Sequence, residues 1–463
     1  MSSEKKDIID DENPATFDHL VVLLMSSDLI LFDKSFVFSF FLSSRVFMSS
    51  DHLLIKLFEK TFYYMLHHKK LNEKIIRKCL SRFIYIIDQW AKQFPSDFRD
   101  HKMALALTSV QTRCISLDSS FVENFGELFF YLSKEIAYIE KYEENLIELH
   151  NESKSKMNKS LTDLCLINIC CDPIVLARQI THIELERLNR IGSDELMYYY
   201  LNNESRKHNT GEEIERLDKI CNKNFRVYLE ELKQACQYDI LIKKTNYSNN
   251  LVKRTSNLLA YILWFNRLSS LVCTEVVKTR EINNRVDVVK LFIETANNCF
   301  ELGNFNSAMA IIAGLQSYQV ARLKITWSKI ESKIWDKLVV LTDSSNNYMS
   351  YRNLLKETKQ KYPNRLLIPV FTLVMKDLNF FFNNIPNTNR KGCLKISKFW
   401  QMSKYIMENI IKENLIVNFP KQSFITNYLQ TEPLLTEDAC FYSSFNCELP
   451  SSKAENERLK ILK

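Results

Sequence analysis

Residues 283–327 read NNRVDVVKLFIETANNCFELGNFNSAMAIIAGLQSYQVARLKITW. In the first half, Val288, Val289, Phe292, Ala296 and Cys299 recur at the three- and four-residue steps of one helix face, so an amphipathic helix with that face inward is predicted. A second helix follows the GNFN corner, and its small residues Ala308, Ala310, Ala313 and Gly314 would let a neighbouring helix approach closely. The same reading extends outward. Residues 257–279, NLLAYILWFNRLSSLVCTEVVKT, form another strong helical run. Further upstream, Asp172 can cap and Pro173 can open a helix with Leu176, Ile180, Ile183 and Leu188 on its apolar stripe.

Composition agrees with these local patterns. The chain has 463 residues, 46% apolar and 25% charged, as in ordinary globular proteins, with room for two or three domains. It holds six glycines where average usage of about 7% would give roughly thirty. The closest pair, Gly303 and Gly314, is eleven positions apart. A dinucleotide fingerprint, a phosphate-binding P-loop and a Gly-x-Ser-x-Gly elbow each need glycines a few residues apart, and all three are excluded. Scarce Gly and Pro also deny sandwiches and barrels their turn residues, so an all-α fold is expected.

The N-terminal half is helical by the same criteria. FVFSFFL, residues 36–42, is apolar nearly all round, as a buried helix is. Residues 71–94 place Ile76, Leu80, Phe83, Ile87 and Trp90 on one stripe before Pro95 and Asp97 break it. The polar run NESKSKMNKS, residues 151–160, has no apolar period and marks a domain boundary.

Other function classes find little support. The net charge of +7 is spread among acids, so nucleic acid is not implied. Twelve cysteines without a CxxC pair read as reduced thiols, and no His and Cys spacing matches a metal site. No HExxH occurs; His67 and His68 read as solvated surface, and Glu143 and Glu144 as exposed helical charge. The longest apolar stretch, 36–48, contains Arg45 and three serines and is too short to span a bilayer. The MSSEKK start and the KILK end carry no lipidation box.

Specific strings resemble a known family. FNRLSSLVCTEVV and residues 283–327 are similar to the catalytic domain of Ras-family guanine-nucleotide exchange factors. DPIVLARQITHIELERLNRIGSDELM resembles its opening block, and NNYMSYRNLL and IPVFTLVMKDLNFFF resemble its later ones. FDHLVVLL, residues 33–62 and WAKQFPSDF resemble the Ras exchanger motif domain that precedes it. The polar start 1–15 is expected to be disordered, and with the polar run as a linker 151–163 the resemblance implies an exchanger motif domain 16–150 and a catalytic domain 164–450 with an insertion near 202–247, followed by a polar tail 451–463. It also implies an N-terminal helical bundle packed on a larger helical domain with a protruding helical hairpin. The implied activity is non-covalent. The domain grips switch II of a Ras, Rap or Ral type GTPase and the hairpin pries switch I open, promoting GDP release and GTP loading without a cofactor or metal of its own.

Residue by residue, the resemblance assigns Phe381, Phe382 and Asn383 to the hairpin tip. Leu251, Arg254, Gln316, Arg322, Met375, Leu378 and Asn379 become GTPase contacts, and Asp172, Pro173, Arg285, Asn304, Phe305, Asn306 and Trp327 framework residues. The Asn304-Phe305-Asn306 corner reads equally well as a helix cap that buries one ring and as a direct contact with the GTPase. Two positions depart from the family: Thr372 replaces a glycine, and Asn383 replaces the acid that the family projects toward the phosphate and magnesium site. A silent GTPase-binding scaffold is therefore the alternative. A helical adaptor or RNA-binding bundle would rest on RKGCLKISKFWQMSKY, residues 390–405. The expected location is the cytoplasm, with recruitment to the inner face of the plasma membrane only through a partner or basic surface.

Overall fold

The structure, a computed structural model, describes residues 20–21, 24, 34–46, 48–66, 73–157, 164–207, 256–363, 365–387, 395–410 and 419–462. Among them no β-strand forms; one isolated bridge joins Asn304 and Ile368. The helices begin with α1 (Lys34–Ser44), α2 (Ser50–Leu66), α3 (Glu73–Gln93), α4 (His101–Leu117), α5 (Val122–Met157), α6 (Leu166–Ile169), α7 (Pro173–Leu188) and α8 (Ser193–Lys207). They continue with α9 (Ser256–Lys278), α10 (Ile282–Leu302), α11 (Phe305–Leu315), α12 (Tyr318–Ala321), α13 (Lys324–Ser328), α14 (Lys333–Leu341) and α15 (Met349–Lys361). The last five are α16 (Phe371–Asn384), α17 (Ile396–Asn409), α18 (Ser423–Thr431), α19 (Glu437–Cys447) and α20 (Lys453–Leu462). The all-α expectation holds. The chain divides into two compact units: Met1–Tyr142 with Ile191–Leu259 and Lys376–Ile411, and Glu143–Arg190 with Ala260–Met375 and Lys412–Lys463.

In the first unit, α1 is buried all round through Val37, Phe38, Phe40, Phe41 and Leu42, and it packs on α3, α8 and α17. Phe41 stacks on Trp90 with ring centroids 4.4 Å apart. The short turn opened by Pro95 carries Asp97 inward, where it accepts from Trp90 Nε1 at 2.7 Å and pairs with Arg45. The Arg45 guanidinium also lies 4.2 Å over the Phe94 ring. The residue pair that ends the α3 pattern, Pro95 and Asp97, thus supplies the buried counter-charge for the one arginine in an apolar stretch.

In the second unit, α10 packs against both α7 and α11, and the predicted inward residues Leu176, Ile180, Ile183, Val288, Val289, Phe292, Ala296 and Cys299 are all buried. Gly314 permits the close crossing of α11 and α9, since a Cβ there would lie 2.5 Å from the Ser269 carbonyl oxygen. Ala308 and Ala310 share that interior, whereas Ala313 faces solvent, which shortens the expected small-residue stripe by one position. Gly303 ends α10 at φ 84°, in the left-handed region. There its carbonyl accepts from Ile368 N at 2.8 Å, and Phe305 N donates to Ile368 O at 3.0 Å.

Helices run into two of the expected polar segments. The linker assigned to 151–163 is helical as far as Met157, within α5. Its polar side chains make polar contacts: Asn427 Nδ2 donates to Glu152 at 3.1 Å and Lys156 Nζ to Thr431 Oγ1 at 2.6 Å, so no apolar period was needed. The polar tail 451–463 contains α20, whose Glu455 is buried. Of the insertion near 202–247, residues 202–207 belong to α8 and the rest lies outside the described residues.

A Cβ at position 303 would meet the Leu366 carbonyl oxygen at 1.9 Å. Gly303→Ala is expected to cost about 2 kcal/mol, from left-handed strain and displacement of that carbonyl, and to lower Tm by about 4–8 °C. Thermal unfolding checks this, and an unchanged Tm would show that the bridge at residues 303–305 relaxes freely.

Candidate functional site

The Asn304-Phe305-Asn306 corner presents no face to solvent. Asn304 caps α11 by accepting from Ser307 N at 3.0 Å, and its amide donates to Thr181 Oγ1 at 3.0 Å. Phe305 packs edge-on against Phe300 and Tyr351. Asn306 donates to Glu184 Oε1 at 2.7 Å while its Oδ1 accepts from Phe371 N at 2.9 Å, at the start of α16. Glu184, fully buried on α7, also accepts from Ser307 Oγ at 2.6 Å and Trp264 Nε1 at 2.9 Å. Burial, with Glu184 beside it, holds the Tyr261 phenol well above the usual tyrosine range, so it stays protonated. The capping reading of this corner describes its geometry, with all three residues buried.

Asp172 and Pro173 open α7 as expected, with the carboxylate accepting from Ile174 N and Val175 N. Arg285 is buried and donates to Thr279 O, Arg280 O and Thr326 Oγ1, with Glu448 at 3.7 Å. Trp327 is half-buried; it stacks on Trp335 at 5.0 Å and donates to Val320 O.

Arg322, assigned by resemblance to the GTPase contacts, is instead buried. It forks onto Glu455 through Nε and Nη2, each at 3.1 Å, and donates to Ser444 O at 2.8 Å, Glu448 O at 2.9 Å and Leu449 O at 3.1 Å. Its planar group therefore closes the C-terminal end of α19 and holds α20 in place. Its donors are all engaged within this chain. Gln316, at the end of α11, is exposed and donates to Thr342 Oγ1 at 3.3 Å. Leu251 and Arg254 lie outside the described residues.

Helix α16 carries the remaining assignments. Tyr405 of α17 donates to Asp377 at 2.7 Å, and Lys398, in the first turn of α17, reaches the end of α16, so the two helices run antiparallel as a hairpin. Leu378 and Phe382 are buried, which removes them from any exposed contact surface. Phe382 stacks on Tyr200 at 5.4 Å. Met375 and Phe381 are half-buried, and Phe381 packs on Tyr405 at 5.8 Å. The exposed residues of α16 are Lys376, Asn379, Phe380, Asn383 and Asn384, with Phe380 61% exposed and the Asn383 amide donating to Asn379 Oδ1 at 2.6 Å. Phe380 was missed because three consecutive phenylalanines give no signal of which one points outward; the buried positions Leu378 and Phe382, four apart, settle it. Glu184, Lys398, Glu448 and Glu455 were also missed, since acids and lysines on polar helices read as surface. The exposed lysine-aromatic row that an RNA-binding reading of 390–405 needs is interrupted by burial of Lys398 and Phe399. Among the described residues no metal-binding cluster occurs, and no helix is long and apolar enough to cross a membrane.

Hydrogen bonding from Arg322 holds the Glu455 carboxyl down at about 2, against an ordinary value of 4.5. A depressed carboxylate contributes its full stability above its unfolded value and loses it as pH falls toward the folded one. Glu455→Gln is expected to be less stable by about 1–3 kcal/mol above about pH 5, with the difference shrinking between about pH 4.5 and 2. Unfolding of both proteins across that range is the measurement; a constant difference would contradict the pairing.

A model of the RasGEF domain matches residues 175–421, and a model of the RasGEF N-terminal motif matches residues 13–130. Ras-GEF domain-containing family member 1B of Bos taurus is 31% identical over 447 residues, spanning 93% of this chain and 86% of that protein. The Homo sapiens protein of that name is 31% identical over 448 residues, with the same shares covered. Ras-GEF domain-containing family member 1C of Mus musculus is 28% identical over 462 residues, 97% of this chain and 90% of its own. With both modules matched in order, and with the helical framework that the shared motifs build, the chain belongs to the RasGEF family.

Proposed function

We propose that this chain is a guanine-nucleotide exchange factor for a Ras-like small GTPase of the Ras, Rap or Ral type. The observation that carries the reading, beside family membership, is the exposed face of Asn379, Phe380 and Asn383 on α16. Such a face has a large apolar ring to displace a switch segment and two amides to compete for its hydrogen bonds. No covalent step is required. An exchanger that binds the empty GTPase more tightly than the loaded one must, by linkage, weaken nucleotide binding by the same factor. GTP loading then follows from whichever nucleotide is more abundant. Gln316 and Met375 are proposed to touch the GTPase as well, as are Leu251 and Arg254, which lie outside the described residues.

Phe380 replaces Phe382 as the leading lever in this proposal, because a ring stacked inside the unit is not free to enter a partner. Asn383 supplies hydrogen bonds but no charge to repel phosphate, so displacement by the ring dominates over electrostatics. The same asparagine favours one second reading, a scaffold that binds the GTPase without emptying it. The proposed location is cytoplasmic, with membrane contact through the partner.

Release of fluorescent GDP from purified Ras, Rap and Ral type GTPases tests the proposal. Phe380→Ala is expected to slow release about tenfold or more, Phe381→Ala less, and Asn383→Glu to speed it by a few-fold. Capture of an empty GTPase with no accelerated release would establish the scaffold instead.

A further inference from the structure

Lys398, in the first turn of α17, is 1% exposed. Its ammonium donates to Phe382 O at 2.8 Å, Ile385 O at 2.6 Å and Asn387 Oδ1 at 2.6 Å. An ammonium has three N–H donors, and three oxygens take them. Helix α16 ends at Asn384, so Phe382 O is among the carbonyls left without a partner inside the helix, at the end where the helix dipole favours a cation. The same ammonium stands 4.8 Å from the Phe382 ring centroid and 5.7 Å from that of Phe399.

Lysine is rarely buried to this degree, and a helix end at a protein surface is ordinarily satisfied by water. Water would satisfy the same carbonyls but leave the helix free to turn. A buried amine bonded to residues 382, 385 and 387 together fixes how far α16 extends and how it is rotated, because any rotation breaks several bonds at once. The Phe382 ring, held between this ammonium and Tyr200, locks the same turn from its inner side. On the outer side of that turn stand Asn379, Phe380 and Asn383.

We infer that Lys398 is the positioning residue of the exchange hairpin: it touches no GTPase, yet sets the direction in which Phe380 and Asn383 are presented. This inference rests on the exchange reading above and names a residue through which the proposed site is held. Removing the ammonium leaves Phe380 and Asn383 in place chemically but lets the turn that carries them rotate. The transition state for nucleotide release needs their fixed position more than first encounter does.

The test compares Lys398→Met and Asn387→Ala with the parent chain in two measurements. The first is amide hydrogen exchange of the full-length protein over residues 376–387. Lys398→Met is expected to lose protection there by about tenfold or more while α7 and α10 remain protected, and Asn387→Ala to lose less. The second is GDP release from a responding GTPase. Lys398→Met is expected to lower kcat about tenfold with KM changed less than about threefold, and Asn387→Ala to lower kcat a few-fold. Unchanged protection at 376–387 in Lys398→Met overturns the inference. So does a loss of protection throughout the chain with kcat and KM falling together, provided Asn387→Ala then has native protection and native kcat. A parent chain that releases nucleotide from no GTPase overturns the exchange reading instead, and the amide exchange result still decides whether Lys398 holds the hairpin.

Discussion

The carboxyl group of Glu184 sits without solvent contact at the meeting of α7, α9 and α11, receiving hydrogen bonds from Trp264, Asn306 and Ser307. A carboxyl group buried without partners would cost several kcal/mol, so each of these donors is needed where it stands. Asn306 then passes the constraint on, since its other amide atom accepts from the backbone of Phe371. One side chain thus dictates the position of the Asn-Phe-Asn corner, the crossing of three helices and the first residue of α16. Apolar packing in the second unit would tolerate many arrangements of similar volume. The polar knot selects one.

A second layer of the same kind closes the C-terminal side. Arg322 bonds three carbonyls and Glu455, while Glu448 accepts from Ile325 N, Thr326 N and Thr326 Oγ1. Conspicuous polar residues of the motif region, Asn304, Asn306, Arg285 and Arg322, are therefore consumed inside the protein. The exposed residues to which the proposed function assigns contacts are less conspicuous in sequence: a glutamine at the end of α11, and two asparagines and a phenylalanine among the five exposed residues of α16.

The helical class, the inward faces of α7 and α10, the capped start of α7 and the buried α1 were all legible in the amino-acid sequence, because each rests on local periodicity or on a capping pair. The module order was legible from resemblance. Roles decided by non-local geometry were not. Nothing local distinguishes Arg322, saturated by residues more than a hundred positions away, from an arginine facing solvent. Residues 151–157 read as a linker because their helix is held by Glu152 and Lys156, through polar contacts that leave no apolar period. The FFF run in α16 hid which ring is exposed, since only the packing of Tyr200, Tyr405 and Lys398 around the helix decides it.

Helix α16 contains neither glycine nor proline between Phe371 and Asn384, and Thr372 occupies the position at which the family resemblance leads one to expect a glycine. Its root is bonded to Asn306 and its far end to Lys398. Sharp kinks need a glycine, a proline or an inserted group, so over residues 376–384 a push on Phe380 is passed along the helix to the turn that Lys398 holds. Yielding of that segment on contact with another protein would therefore be concentrated at the ammonium of Lys398, in hydrogen bonds that can break and re-form without any change along the helix itself.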